Sequence, residues 1–387
     1  MDYSKILSRT VQNIEPSGIR KFFDLLGDRK DVISLTVGEP DFLTPWHIRE
    51  AGIESLERGK TYYTSNDGIM ELRREICNYL NRRFGLAYTP KSDVIVTVGG
   101  SEAIDIGVRA LVNPGDEVII PIPAFVCYGP IVELAHGVPV YIETKAEDNF
   151  KLTPEALKAA ITDKTKLLIL PFPNNPTGAV LTRDELEEIA DILRGTDIMI
   201  LSDEIYGELT YGFKHTPIAT LDGMWERTIT VSGFSKAYAM TGWRLGYLCA
   251  PAPIVEQIHK IHQYAIMCAP TTSQLAAIEA LKNGDHDIEM MASEYNRRRK
   301  YIIAGLRSHG IECFEAEGAF YVFPNIGKYG LSSEEFCQRL LDEKGIAIVP
   351  GTAFGKCGEG FARISYAYSV EHIGKAIEGI GEFVKSL

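Results

Sequence analysis

The 387-residue chain has no run of about 20 apolar residues, the length that a membrane-spanning helix needs, so no bilayer span is expected. It has no CxxC pair either. Its seven cysteines, an odd number, lie scattered from Cys77 to Cys357, which points away from a disulfide framework or a zinc ribbon and toward a reduced, cytoplasmic setting. The opening MDYSKILSRT lacks the basic-then-apolar order of a secretory signal. No basic block stands out against a net charge of −12, so nucleic acid is not expected as the main partner. Internal repeats and low-complexity linkers are missing too, glycine and proline falling singly between periodic segments. What remains, 45% hydrophobic and 24% charged, is too apolar for disorder and long enough for two or three domain-sized units.

Short β-branched runs alternate with helical patterns between residues 93 and 250. Strands are expected at 93–98, 117–120, 166–170, 198–202, 228–231 and 245–250. That alternation implies an α/β fold with a mostly parallel sheet buried on both faces. A crossover helix is predicted over 182–193, opened by Thr182 with Glu185 three residues later as a capping box. Beyond Pro270 one long polar helix is predicted over 274–308, then strands at 319–323, 347–349 and 361–365 and a final helix from Val370. These would form a smaller α+β unit, with a strand at 32–36 packed on it.

Several residues carry chemistry. Lys236 ends an apolar strand in VSGFSKAYAMTGWRLGY; partly desolvated there, its amine would lose its proton readily and become able to form an imine with an aldehyde. Strand 93–98 runs into Gly99, Gly100, Ser101 and Glu102 and then an apolar helix, so free backbone N–H groups and a positive dipole end could cradle a phosphate; the glycines would equally serve a tight turn. Asp203 follows an apolar strand, where a carboxylate calls for a cation or a protonated ring nitrogen unless it caps a helix; Tyr206 lies three residues on. Pro173 to Gly178, PNNPTG, makes a turn at the carboxyl edge, where ligands of such sheets bind or where amides simply hold a loop. Arg244 and Arg363 sit amid apolar neighbours and need anions, whether structural carboxylates or ligands.

Other features are set aside. His259 and His262 have helical spacing but no third ligand in a zinc pattern, so no metal is expected. Gly59, Lys60 and Thr61 mimic the tail of a P-loop, yet Glu54 stands where its leading glycine belongs. Arg297, Arg298, Arg299 and Lys300 are expected on a solvated helix face.

Taken in order, VGEPDF, the anion loop, PNNPTG, SDEIY, the lysine segment with GWRLG, and FARISYA resemble the class I aminotransferases, fold type I pyridoxal phosphate enzymes of the aspartate aminotransferase superfamily. The resemblance covers almost the whole chain. It implies a large domain with a mostly parallel seven-stranded sheet and a smaller α+β domain, divided here as 1–45 (N-terminal arm and part of the small domain), 46–285 (large, cofactor-binding) and 286–387 (small). By the same resemblance Lys236 would bind pyridoxal 5′-phosphate covalently and later shuttle the substrate α-proton. Asp203 would pair with the pyridine nitrogen, and Asn175 and Tyr206 would hydrogen-bond the ring oxygen. Gly100, Ser101 and Glu102 amides with Arg244 would hold the phosphate, Arg363 would grip the substrate α-carboxylate, and Gly38 would bring backbone near it. Phe125, in PIPAFVCY, would stack on the ring. Tyr63 would reach a neighbouring subunit's phosphate, which implies a homodimer with shared sites.

Two departures from the family bear on substrate. Gly233 replaces a phosphate-binding hydroxyl, leaving Ser235 or backbone to compensate, and Ser101 replaces a lysine that binds a distal carboxylate in one aspartate-specific subgroup. The segment LDGMWERTITVSGFSKAYAMTGWRLG resembles archaeal-type aromatic aminotransferases, which implies an aromatic or broad range of L-amino acids with a 2-oxo acid such as 2-oxoglutarate as acceptor. The alternatives are a carbon–sulfur β-lyase on the same scaffold and a ligand-sensing regulator, which would carry an added DNA-binding segment.

Overall fold

A computed structural model describes residues 1–16, 18–19 and 31–387. The parts of the expected N-terminal arm at residue 17 and residues 20–30 lie outside the described residues. In chain order the strands are β1 (Ile33–Ser34), β2 (Val94–Thr97), β3 (Glu117–Ile122), β4 (Val138–Glu143), β5 (Thr165–Leu170), β6 (Met199–Asp203), β7 (Thr228–Gly233), β8 (Gly246–Cys249), β9 (Tyr321–Val322), β10 (Ile346–Ala347), β11 (Val349–Pro350) and β12 (Ala362–Ser365). Seven of them form one sheet in the order β2-β8-β7-β6-β5-β3-β4. All its ladders are parallel except the two made by β8. The expectation of an α/β protein with a mostly parallel seven-stranded sheet is met.

Burial explains why these runs are strands. In β5 and β6, Leu168 and Ile200 enter one apolar cluster while Leu167, Ile169 and Leu201 enter the cluster on the opposite face, the period of two that a pleated strand imposes. With both faces covered, each strand reads as a continuous apolar run. The helix Arg183–Leu193 closes the β5–β6 crossover and begins with the predicted capping box, Thr182 and Glu185 satisfying each other's backbone amides. Strand β4 was not expected from sequence: it is an edge strand whose only buried side chain is Ile142, so its apolar pattern is weak.

The long helix expected over 274–308 is two helices, Thr271–Asn283 and Asp285–Ser308. The break is at Gly284, where a Cβ would lie 2.6 Å from the Ala280 carbonyl oxygen and 2.8 Å from the Tyr238 ring, so the chain turns a corner that only glycine fits. The expected solvated face on the second helix holds for Arg297 and Lys300, which are exposed, and is corrected for the two residues between them. Arg298 and Arg299 are buried: Arg298 pairs with Asp41 at 2.7 Å and Glu294 at 2.9 Å, and Arg299 with Glu315 at 2.8 Å. Polar length alone did not reveal that these cations meet carboxylates from elsewhere in the chain.

This helix, Ser333–Lys344 and Val370–Ser386 share an apolar cluster with β9, β10 and β12. β12 pairs antiparallel with β11 and β9, and β10 takes β1 as a parallel partner, so the N-terminal strand lies on the C-terminal unit. Leu35 and the C-terminal apolar residues belong to one core.

Candidate active site

The ends of β6 and β7, the turn after β5 and the loop after β2 converge on a cleft of about 330 Å³, the carboxyl-edge location at which open α/β sheets bind ligands. All the site residues singled out above line it except Glu102 and Tyr63.

At one end the loop after β2 passes through Gly99, held at φ +77°, into the helix Gly100–Leu111. The first amides of that helix have no intrahelical acceptor and, at Gly100 and Ser101, face the cleft. A Cβ on Gly99 would lie 2.6 Å from a terminal nitrogen of Arg244, so the glycine lets the guanidinium close against the turn. Gly246 on β8 approaches as tightly: a Cβ there would be 2.8 Å from the Gly100 nitrogen. Glu102 is turned away from the cleft. Its carboxylate accepts the Val98 amide at 2.5 Å and lies 2.6 Å from Nδ1 of fully buried His262, which pins the loop from behind. Gly233 has a packing reason as well, since a Cβ there would meet Gly246 Cα at 2.9 Å, while Ser235 beside it lines the cleft.

In the middle, Asp203 ends β6 fully inside. Burial raises its carboxyl above the usual range, opposed by hydrogen bonds from the Tyr128 hydroxyl at 2.8 Å and the Ile205 amide at 3.2 Å. The helix cap offered as the alternative role for Asp203 is not found, since the residues after it form turns. Lys236 donates to the Gly38 carbonyl oxygen at 2.5 Å. Its pKa is pushed down to about 8, chiefly by burial, with Glu39 opposing and Arg363 and Arg244 adding to the fall. Phe125 lies at the cleft edge, packed edge-on against Tyr128.

At the far end Arg363, on β12, is 3% exposed. Its terminal nitrogens donate to Asn175 Oδ1 at 2.9 Å and to the Thr36 carbonyl oxygen at 2.5 Å, and its plane lies between the rings of Tyr321 and Phe354, 4.6 Å and 4.8 Å from their centroids. Its Nε has no hydrogen-bond partner among the described residues, and the oxygens that its terminal nitrogens meet are those of a neutral amide and a backbone carbonyl. Gly38 is confined by Tyr321, whose hydroxyl would lie 2.0 Å from any Cβ added there.

Two lining tyrosines were missed from sequence. Tyr128 stands within the quoted PIPAFVCY and Tyr321 within a predicted strand, but nothing in either string marks a phenol as turned toward a site. Tyr63 is 83% exposed and does not touch the cleft of its own chain. Lys236, uncommitted helix amides beside Arg244, a buried carboxylate short of a cation and an arginine short of a carboxylate together fit an aldehyde-bearing aromatic phosphate and an amino acid. The family model for aminotransferases of class I and II matches residues 30–380.

The chain belongs to that family. It is 52% identical over 378 residues, 98% of each chain, to YugH of Bacillus subtilis (strain 168), which is named as an aminotransferase. Among solved structures, the aromatic aminotransferase of Pyrococcus horikoshii OT3 superposes with a TM-score of 0.90 at 46% identity, covering 95% of this chain and 99% of that one. The aspartate aminotransferase of Thermus thermophilus with maleate gives 0.92 at 39% identity, covering 98% and 99%. This aminotransferase therefore depends on pyridoxal phosphate and acts on amino acids and 2-oxo acids. The family favours amino transfer over the β-lyase alternative. Among the described residues no helix is long and apolar enough to cross a membrane.

Proposed function

We propose that this aminotransferase takes an aromatic or broad range of L-amino acids as donors and a 2-oxo acid such as 2-oxoglutarate as acceptor, with Lys236 as its catalytic base. The observation that carries the reading is a buried amine, its pKa lowered to about 8, set between a buried carboxylate and an arginine lacking an anion. When bound, pyridoxal phosphate supplies an aldehyde and a ring that withdraws electrons from the substrate α-carbon.

The chain's residues do the rest. Lys236 Nζ would hold the cofactor through its aldehyde and, as the catalytic base, would take and return the substrate α-proton. Asp203, steadied by Tyr128, stabilises a protonated ring nitrogen in surroundings that would otherwise favour its own neutral form. Asn175 and Tyr206 would hydrogen-bond the ring oxygen, Phe125 would pack on the ring, and the Gly100 and Ser101 amides with Ser235 and Arg244 would hold the phosphate. Glu102 acts by bracing that turn. Arg363 receives the α-carboxylate, with Gly38 backbone beside it.

The division 1–45, 46–285 and 286–387 belongs to this proposal and is supported by the corner at Gly284 and the pairing of β1 with β10. So does a cytoplasmic homodimer in which Tyr63 serves the partner's phosphate. In its support, Tyr63 is exposed on the same chain as other bare apolar side chains, Tyr62 and Tyr264 among them, and all seven cysteines are free.

A panel of donors against 2-oxoglutarate, ranked by kcat/KM, tests the substrate range: aromatic donors should lead, and a profile confined to aspartate and glutamate would sink it. Release of pyruvate and ammonia from cystathionine without an acceptor would favour the lyase. Lys236→Ala should lose the cofactor adduct that borohydride reduces, and its retention would refute the assignment of that lysine.

A further inference from the structure

Tyr321 occupies a position that none of the roles above uses. Its ring is 1% exposed, its hydroxyl is 2.9 Å from the Tyr206 hydroxyl, its face lies under the Arg363 guanidinium, and Gly38 closes against it. It therefore touches both the arginine that lacks an anion and the phenol expected at the ring oxygen. Burial holds both phenols above their ordinary pKa, so each keeps its proton in the neutral range.

Two phenols have two protons, and one bond between them uses only one. If Tyr206 donated to Tyr321, its proton would not be available to a ligand oxygen in the cleft. If Tyr321 donates to Tyr206, the Tyr206 proton is free for an oxygen in the cleft. A ligand oxygen there thus orders the chain Tyr321 to Tyr206 to ligand, in which each bond strengthens the next. The Arg363 cation against the Tyr321 face makes that phenol a better donor, and a carboxylate docking on Arg363 cancels the field.

We propose that Tyr321 is a positioning residue that relays the state of the carboxylate receptor Arg363 to the Tyr206 hydroxyl, and so sets how tightly the cofactor-linked Lys236 nitrogen holds its proton. This rests on the reading of Tyr206 given above. Before substrate arrives, the relay supports negative charge on the ring oxygen and keeps the nitrogen's proton affinity low. Once a carboxylate pairs with Arg363, Tyr321 and then Tyr206 donate more weakly, and that nitrogen keeps its proton to higher pH. A second route from Arg363 runs through Asn175, so the Tyr321 arm carries part of the effect.

The test is a pH titration of the visible absorbance of the holoenzyme, with and without saturating 3-phenylpropanoate as an unreactive carboxylate, for wild type, Tyr206→Phe and Tyr321→Phe. In parallel, the pH dependence of Lys236 reductive methylation is measured on cofactor-free protein. Tyr321→Phe keeps the ring and removes only the hydroxyl. It should raise the holoenzyme midpoint by about half a pH unit to one unit, the worth of one hydrogen bond, and shrink the further rise caused by the carboxylate. The methylation midpoint of the cofactor-free protein should stay where wild type has it. Tyr206→Phe should raise the holoenzyme midpoint more. If Tyr206→Phe moves nothing, the role of Tyr206 is wrong and the relay falls with it. If Tyr206→Phe moves the midpoint and Tyr321→Phe does not, the relay alone is overturned. A Tyr321→Phe shift of equal size in holoenzyme and cofactor-free protein would mean disturbed packing around Lys236 and would also overturn it.

Discussion

At the Arg244 end of the cleft, the groups expected to hold phosphate come from two adjacent strands and the turn between β2 and its helix, packed so closely that three glycines, Gly99, Gly233 and Gly246, have no room for a Cβ. At the Arg363 end, the receptor is assembled from Thr36, Asn175, Tyr321 and Arg363, which no single element carries. One end is a backbone mould and the other a gathering of side chains. A mould tolerates little change of shape but keeps its amides when side chains are altered; a gathering loses its function with one side chain and can be retuned by its neighbours.

The sharpest way to separate the two ends is to remove each arginine. Arg363→Ala should lower kcat/KM for amino acids by about a thousandfold, since it leaves a substrate carboxylate without its charged partner, while cofactor retention on dialysis stays near wild type. Equal losses in both would break the comparison. Arg244→Ala should do the reverse and more mildly, weakening cofactor binding by roughly ten- to a hundredfold because the helix amides remain. A direct measurement of the cofactor dissociation constant decides it. Gly38→Ala places a methyl against the Tyr321 hydroxyl and should cost about 1–3 kcal/mol in stability by denaturant titration, with substrate KM raised and cofactor binding little changed.

The smallest effect concerns pH. Lys236 has its pKa lowered to about 8 by burial, and only the neutral amine attacks an aldehyde. Cofactor uptake by cofactor-free protein should therefore rise with pH through a midpoint near 8, falling roughly tenfold per unit below it. The sign for stability agrees: a lysine pKa depressed in the folded state means that the unfolded chain binds more protons between about 8 and the ordinary 10.5, so the stability of the cofactor-free protein should increase with pH over that window. Lys236→Met should flatten both dependences.

This contrast also governs what could be read from sequence. The mould is local, and its glycines, lysine and arginine stand close together in two strings, so Gly100, Ser101, Lys236 and Arg244 were found from order and residue type. Asp203 ended a recognisable strand, Asn175 lay in a recognisable turn and Arg363 within a recognisable strand. Tyr321 and Tyr128 carried no such mark, because a tyrosine in an apolar run is ordinary core until the fold shows what its hydroxyl meets. The single helix expected over 274–308 and part of its solvated face failed for the same reason. The corner at Gly284 needs glycine because a Cβ there would meet Tyr238 and the Ala280 carbonyl, and Arg298 finds its partner Asp41 far away in the chain. Periodicity reports neighbours along the chain, and these are neighbours through space.

The bond from Arg363 to the Thr36 carbonyl joins residues 327 positions apart. During synthesis the nascent polypeptide thus has its lysine and phosphate turn long before its last strand leaves the ribosome. A product stopped short of that strand would hold the lysine and the turn without the guanidinium, so the first part of the chain to be made and the last must meet before both ends of the cleft exist.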